Sequence, residues 1–276
     1  MNECTGGALG RHLRKQRDLG RKLVVPYVTG GLDDEWTEVV IGLAGAGADA
    51  IEIGIPFSDP VMDGPVIQEA SVRALLRGTT PQSVIGELAH VNCGVPLVVM
   101  TYVNLFVRAG FHRMANSLRE ANIAGVILPD LPIDEAGEWM TEATAAGIDA
   151  VQLVAPTTPD DRLARICQES RGFVYAVGLL GVTGEREELA NSALVIARRC
   201  KQETATPVLV GVGVSNPEQA TAICEEADGV VIGSALVRRL LDGEGVEGAT
   251  KFIGEIRGAL DRRWPGTGVE GKSRGG

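Results

Sequence analysis

Eight short runs of β-branched and aliphatic residues recur along this chain, each followed by a stretch with helical periodicity, and this alternation restricts the fold more than any other feature. The runs lie near Lys22–Thr29, Ala50–Gly54, Pro96–Thr101, Gly125–Pro129, Ala150–Ala155, Phe173–Val177, Pro207–Gly211 and Gly229–Ile232. Most are apolar at successive rather than alternate positions, the pattern of parallel strands buried on both faces, so helices must cover the outside. Eight βα units in roughly 250 residues have the usual size of a TIM (β/α)8 barrel. A doubly wound open sheet is the structural alternative, because strand order cannot be read from this pattern. The expectation is a single-domain α/β barrel over residues 1–264 that begins with an N-terminal helix. The glycine-rich residues 265–276 are expected to form a disordered tail.

The linking segments carry helix signals. Asp33 or Asp34 is placed to cap a helix bearing Trp36, Val39, Val40 and Leu43, and Gly64-Pro65 opens another that ends before Gly78. Ser215 with Glu218 reads as a capping box ahead of Ala220, Ile223 and Cys224. A weak internal repeat supports closure: AGADAIEIG and AGIDAVQLV align without gaps, and ADGVVIG follows the same scheme. That alignment sets Glu52, Gln152 and Val231 at one register of their strands.

Composition excludes several functions. The 276 residues are 45% hydrophobic and 22% charged, which is enough for a sizeable core and too apolar for overall disorder. A net charge of −10 argues against nucleic acid or an anionic membrane as the main partner, while leaving room for a local phosphate site. The five cysteines are widely scattered, with no close pair of the kind that makes a zinc knuckle or a redox dithiol, so no metal site is expected. No apolar run has the length of a signal peptide or a membrane span, which makes the cytoplasm the expected location. None of the three histidines, His12, His90 and His112, ends a strand, so acid–base chemistry falls to carboxylates.

Glu52 stands out because it interrupts an apolar strand near its C-terminal end, where barrel enzymes keep their reactive groups. A buried carboxylate needs either a partner or a chemical role, so a hydrogen bond to the neighbouring strand is one reading and catalysis the other. The loop GIPFSDPVMDGPVIQ follows directly. Its Asp59 reads as a turn former, and Asp63 is open between capping the next helix and facing a ligand. Glycine-rich stretches after the last three strands, at Gly181–Gly184, Gly211–Ser215 and Ile232–Leu236, let backbone amides approach a phosphate, and a helix starting at Ser234 adds its dipole. Tyr102 and Tyr175, placed on the third and sixth strands, are explained by core filling alone, and Asp130 in LPDLP is equally open. The basic stretch Arg11–Arg21 reads as a solvated helix face.

Taken together, EIGIPFSDPVMDGPVIQ, MTYVN, ILPDLP, APTTPDDR, GVTG and the pair GVGVS and IGSA, in this order, resemble the tryptophan synthase alpha subunit family from about Leu9 to Asp261. The resemblance implies a TIM barrel that cleaves indole-3-glycerol phosphate to indole and glyceraldehyde 3-phosphate by a retro-aldol reaction. By motif, Glu52 matches the general acid–base group and Asp63 the carboxylate that stabilises positive charge at the indole nitrogen. Thr183 matches the partner that positions this aspartate, and Tyr175 a substrate-pocket residue, with Tyr102 counted beside them. Gly184, Gly213, Gly233 and Ser234 match the phosphate site. It implies no cofactor in this chain, and a partner, the pyridoxal-phosphate-dependent beta subunit, in a heterotetramer of two alpha and two beta chains. The PFSDP loop and Asn104 would lie near that interface.

One departure stands out. Before GVTG the chain reads Val177-Gly178-Leu179-Leu180, where the family usually has a serine and then often a polar residue, so closure of this loop is expected to differ. Three other functions compete with the lead reading. They are a stand-alone indole-3-glycerol-phosphate lyase, a catalytically silent barrel serving as an interaction subunit, and a different phosphosugar barrel such as an isomerase. The last explains the glycines but not the EIGIPFSDP and DGPVIQ block.

Overall fold

The computed structural model describes residues 6–178, 186–211 and 213–266, the side chains of residues 186–191 excepted. Thr183, Gly184, Leu179, Leu180 and residues 267–276 of the expected tail lie outside the described residues. In chain order the first half runs α1 (Ala8–Asp18), β1 (Leu23–Thr29), α2 (Trp36–Gly45), β2 (Ile51–Gly54), α3 (Pro65–Leu76), α4 (Pro81–Leu88), β3 (Leu97–Met100), α5 (Val103–Ala109), α6 (Phe111–Glu120) and β4 (Ile123–Ile127). The second half continues with α7 (Gly137–Ala146), β5 (Asp149–Val154), α8 (Asp160–Glu169), β6 (Val174–Val177), α9 (Arg186–Glu203), β7 (Val208–Gly211), α10 (Pro217–Cys224), β8 (Gly229–Ile232), α11 (Ser234–Leu241) and α12 (Gly245–Arg263). The strands pair in sequence order and in parallel, and β8 closes on β1, so the sheet is a closed (β/α)8 barrel and not an open one.

The two faces of each strand serve different cores, which is why the runs carry no alternation. Leu23, Val25, Ala50, Val98, Val151, Leu209 and Val231 fill the barrel interior. Val24, Val28, Ile51, Ile53, Val99 and Val230 face outward into the helix layer. At the N-terminal end, α1 plugs the barrel: Leu9 and Leu13 are fully buried and join the interior cluster. Two glycines make room for this plug, since a Cβ at Gly125 or at Gly172 would come within 2.6 Å of Leu9 Cδ2. The basic stretch is therefore solvated only on its outer side, where Arg11 and Lys15 are exposed.

The internal repeat has a structural meaning at its aspartates. Asp49, Asp149 and Asp228 occupy the same place in the three segments, and all are buried at the foot of the barrel. Asp49 accepts from the Val24 amide at 2.8 Å and Asp228 from the Val208 amide at 2.9 Å, so each holds the neighbouring strand by its first residues. Asp149 instead accepts from the Gly7 and Gly10 amides at 2.7 and 2.9 Å and so caps α1 from a distant strand. The repeat does not hold at the next position. Val231 belongs to the interior cluster, and Glu52 shares the inward parity of Ala50, but Gln152 points outward with its amide 3.5 Å from Met140 Sδ. An offset of one residue against the pleat reverses the face, and residue matching alone does not reveal it.

Other local expectations also need correction. Glu35 holds the N-cap position of α2, while Asp33 accepts from the Glu35 amide within the turn and Asp34 pairs with Arg77. Asn216, not Ser215, caps α10, accepting from the Gln219 amide at 2.9 Å, because Pro217 fixes the first helical residue one position later. Tyr102 lies beyond β3, at the N-cap position of α5. Asp130 accepts from the Val103 amide at 2.8 Å and caps that helix from the next loop, a structural role.

Replacing Asp149 with Ala leaves two amides of α1 without their acceptor, one of them buried, and should lower unfolding free energy by about 1–3 kcal/mol. Chemical denaturation reads this directly, and a loss within experimental error would mean that α1 is held by Leu9 and Leu13 alone.

Candidate active site

β2 is buried at all four of its positions, and Glu52 is the one ionisable group among them. Its Cα pairs with Tyr27 on β1 and Val98 on β3. The side chain is 1% exposed, and neither carboxyl oxygen has a hydrogen-bond partner among the described residues. The hydrogen bond to a neighbouring strand, one of the two sequence readings, is therefore not found there. Burial, and then the negative charge of Asp63, push the Glu52 carboxyl up to about 8, so it keeps its proton at neutral pH.

Asp63 owes its place to the loop after β2. Turns closed by Val61 N–H to Asp59 O and Asp63 N–H to Pro60 O bring it back over the barrel, and Gln68 donates to its carbonyl at 2.8 Å. Gly64 holds the N-cap of α3, so the Asp63 carboxylate is not used as a cap. It accepts instead from the Tyr102 hydroxyl at 3.2 Å, and that hydroxyl accepts from the Met62 amide at 2.9 Å. Phe57 stacks on Tyr102 with centroids 4.9 Å apart and planes at 23°. Burial raises the Asp63 carboxyl, and the Tyr102 hydrogen bond opposes that rise. Glu52, without any such donor, carries the proton, and Asp63 is its charged neighbour. Asp59 is exposed and bonded to Ser58 at 2.6 Å, in keeping with a turn role.

All three tyrosines of the chain gather at this mouth. Each of two is seated on a glycine of the next strand. A Cβ at Gly54 would lie 1.8 Å from the Tyr27 hydroxyl, and one at Gly211 would lie 2.6 Å from the Tyr175 ring. Burial raises both phenols, with the charges of Asp63 and Glu52 adding to it, and burial pushes Tyr102 up to about 12. They are neutral donors at any working pH. Tyr27 was not singled out by sequence reasoning. Its signal is the cross-strand pairing with Glu52, which exists only once the barrel is closed.

On the adjoining side of the mouth, β7 and β8 lead into the glycine turns. Gly213 has φ +69° with open space at its Cβ position. Gly233 is the N-cap of α11 and Ser234 its first residue, and no side chain caps that end. A helix N-terminus left open in this way presents amides and a positive dipole end to an anion. The structure thus brings Glu52, Asp63, Tyr102, Tyr175, Gly213, Gly233 and Ser234 to the C-terminal end of one barrel. Among the described residues no group of three His, Cys, Asp or Glu is placed to hold a metal ion. The arrangement places a buried carboxyl that keeps its proton, a second carboxylate and an uncapped helix N-terminus at one end of the barrel, which suits proton transfer beside a bound anion.

A family model described as tryptophan synthase alpha chain matches residues 13–255. The tryptophan synthase alpha chain of Prochlorococcus marinus (strain MIT 9313) is 40% identical over 263 residues, which cover 92% of this chain and 96% of that one. That of Thermobifida fusca (strain YX) is 40% identical over 258 residues, covering 91% and 96%. Among solved structures, Mycobacterium tuberculosis tryptophan synthase in space group F222 is similar with a TM-score of 0.85 and 36% identity, covering 92% of this chain and 98% of that one. Tryptophan synthase subunit alpha from Legionella pneumophila str. Paris gives 0.84 and 29%, covering 93% and 99%.

The buried acid has a measurable cost. Its folded midpoint of about 8 lies above that of glutamate in an unfolded chain, so the native state binds more protons between the two values. Its contribution to stability is complete below the unfolded value and is lost as pH rises through about 8. Glu52→Gln should match the parent near the unfolded midpoint and exceed it by on the order of a few kcal/mol above the folded one. Denaturant titrations across this range check it, and a constant difference would contradict the burial of an unpaired carboxyl.

Proposed function

The chain belongs to the tryptophan synthase alpha chain family, and on that premise we propose how its residues perform the family's reaction. It is a carbon–carbon lyase of tryptophan biosynthesis that cleaves indole-3-glycerol phosphate to indole and glyceraldehyde 3-phosphate. The observation that carries the assignment of roles is the buried Glu52, whose carboxyl oxygens have no hydrogen-bond partner among the described residues, with Asp63 as its acidic neighbour.

Glu52 first gives its proton to the ring carbon that bears the glycerol chain, and positive charge appears at the ring nitrogen. Asp63 accepts the nitrogen's N–H and balances that charge. The Glu52 carboxylate then takes the proton of the hydroxyl on the adjacent chain carbon. As that oxygen becomes a carbonyl, the carbon–carbon bond breaks and its electron pair returns to the ring. Indole and the phosphorylated aldehyde result, and Glu52 ends protonated as it began. Tyr102 holds Asp63 through its hydroxyl, so its own contact with substrate would come from the ring. Tyr175 lines the pocket, and Thr183 steadies Asp63 when the loops close. Gly184, Gly213, Gly233 and Ser234 hold the phosphate, whose binding orients the indole end far from it.

The reaction so written calls on no cofactor in this chain. The partner is a beta subunit carrying pyridoxal phosphate, in an assembly of two alpha and two beta chains. Supporting it, Val61 is 84% and Met62 45% exposed on the loop that carries Asp63, and Asn104 on α5 is exposed too. Among the described residues no helix is long and apolar enough to cross a membrane, which accords with a cytoplasmic enzyme. The end of α12 at Arg263 supports a barrel domain over residues 1–264. A stand-alone lyase shares the same site, and the Gly178-Leu179-Leu180 departure favours keeping it as the second reading.

Indole release from indole-3-glycerol phosphate, with and without a beta subunit, separates the two: strong activation supports the partnered enzyme, and full activity alone supports the second. Silence in both assays would refute the chemistry. Glu52→Gln should lower kcat by about 10²–10⁴-fold without unfolding the chain. In the parent, kcat should fall as pH rises through about 8, where Glu52 loses its proton. Ser234→Asp should raise KM about tenfold or more by repelling the phosphate, while kcat changes little.

A further inference from the structure

Glu52 has a protonated carboxyl only while water is kept from it, and the barrel's lower half already excludes water through Leu9, Leu13, Val25, Ala50 and Val98. The open direction is the mouth. Tyr27 starts level with Glu52, as its Cα partner on β1, and its ring crosses to β2 above it, where Gly54 has no side chain. Only glycine permits this crossing, since any Cβ at position 54 would occupy the place of the Tyr27 hydroxyl. On its other side Tyr27 abuts the turn at Gly233, whose Cβ position is 3.8 Å from Tyr27 Cβ. The side chain thus runs from beside the Gly233 turn, at its Cβ, to its hydroxyl over Gly54, two residues beyond Glu52 on β2.

We propose that Tyr27 is a positioning residue for this reaction: its ring, seated on Gly54, covers Glu52 from the mouth and keeps water from both carboxyl oxygens. The inference rests on the reading of Glu52 as the acid–base group. Among the described residues, the titratable groups facing Glu52 are Tyr27 from β1, Asp63 from the loop after β2 and Tyr175 from β6. Asp63 only adds negative charge, and Tyr175, seated on Gly211, shields the opposite side. Removing the Tyr27 ring therefore hydrates Glu52 without removing any hydrogen bond that it makes among the described residues. A hydrated glutamate gives up its proton at about pH 4.3, so at neutral pH it is ionised and can no longer protonate a ring carbon. The Tyr27 hydroxyl is not what excludes water, so a phenylalanine ring there should serve.

The test is a carbon-13 carboxyl titration of the full chain by NMR, the Glu52 signal being identified by its loss in Glu52→Gln, beside the pH profile of kcat. In the parent the midpoint should lie at about 8. Tyr27→Ala should lower the proton affinity of Glu52 by about tenfold or more, and the alkaline limb of kcat should move down with it. Tyr27→Phe should leave both where they are. If Tyr27→Ala does not fold, Tyr27→Leu keeps apolar bulk in the strand without reaching Gly54 and should lower the affinity in the same direction. An unchanged midpoint in a folded Ala or Leu variant would overturn the cover. A lowered midpoint with an unmoved kcat limb would instead remove Glu52 from the reaction, and with it the catalytic consequence of the cover. The NMR titration thus separates failure of this inference from failure of the reading beneath it.

Discussion

A closed parallel sheet of eight strands has an interior that only its own inward side chains and whatever enters from the ends can fill. In this protein the lower end is filled by α1, whose Leu9 sits against Gly125 and Gly172. The carboxylates of Asp49, Asp149 and Asp228 tie strands and helix together there, and Arg21, Arg257 and Lys201 supply countercharge to the first and last of them. Each of these aspartates is buried and bonded to backbone amides, which is how a barrel tolerates charge in its wall. A dry, rigid foot is the condition under which the upper half can hold an unpaired acid.

The upper half departs from that rule. Glu52 is as buried as the aspartates below it yet has no donor among the described residues. The departure weakens the fold as pH rises, and it gives the site a carboxyl that is protonated where an ordinary glutamate is not. Asp63 differs by a single hydrogen bond from Tyr102 and by being less enclosed, and that difference separates an acid from a charge-stabilising carboxylate. Glycines at 54 and 211 complete the arrangement, because the two tyrosine rings occupy the space their side chains would take.

Much of this was legible in the chain. The eight apolar runs became the eight strands, with β4 beginning two residues before its expected start, where pairing with β3 shifts between Leu97 and Val98. Glu52 was visible because a carboxylate inside IEIG is costly wherever the strand is buried, and Asp63 because of the loop that carries it. Tyr27 was not visible, since an aromatic residue within LVVPYVT is ordinary strand composition until its partner across the sheet is known. The repeat set Glu52, Gln152 and Val231 at one register, yet Gln152 points outward, and the three aspartates that align within the repeat hold different amides, which only the folded chain reveals.

The class of fold, the order of its elements and the residue types available for chemistry can be read from the chain alone. Local propensity, caps and apolar runs act over a few residues and are written in the chain. Tertiary structure decided closure of the sheet, the face each strand residue takes, and the protonation of Glu52. Those depend on contacts between residues far apart in sequence: Leu23 with Gly229, Tyr27 with Glu52, Asp149 with Gly7. A carboxyl group's acidity is a property of its surroundings, and the surroundings of Glu52 are assembled from β1, β6 and the loop after β2.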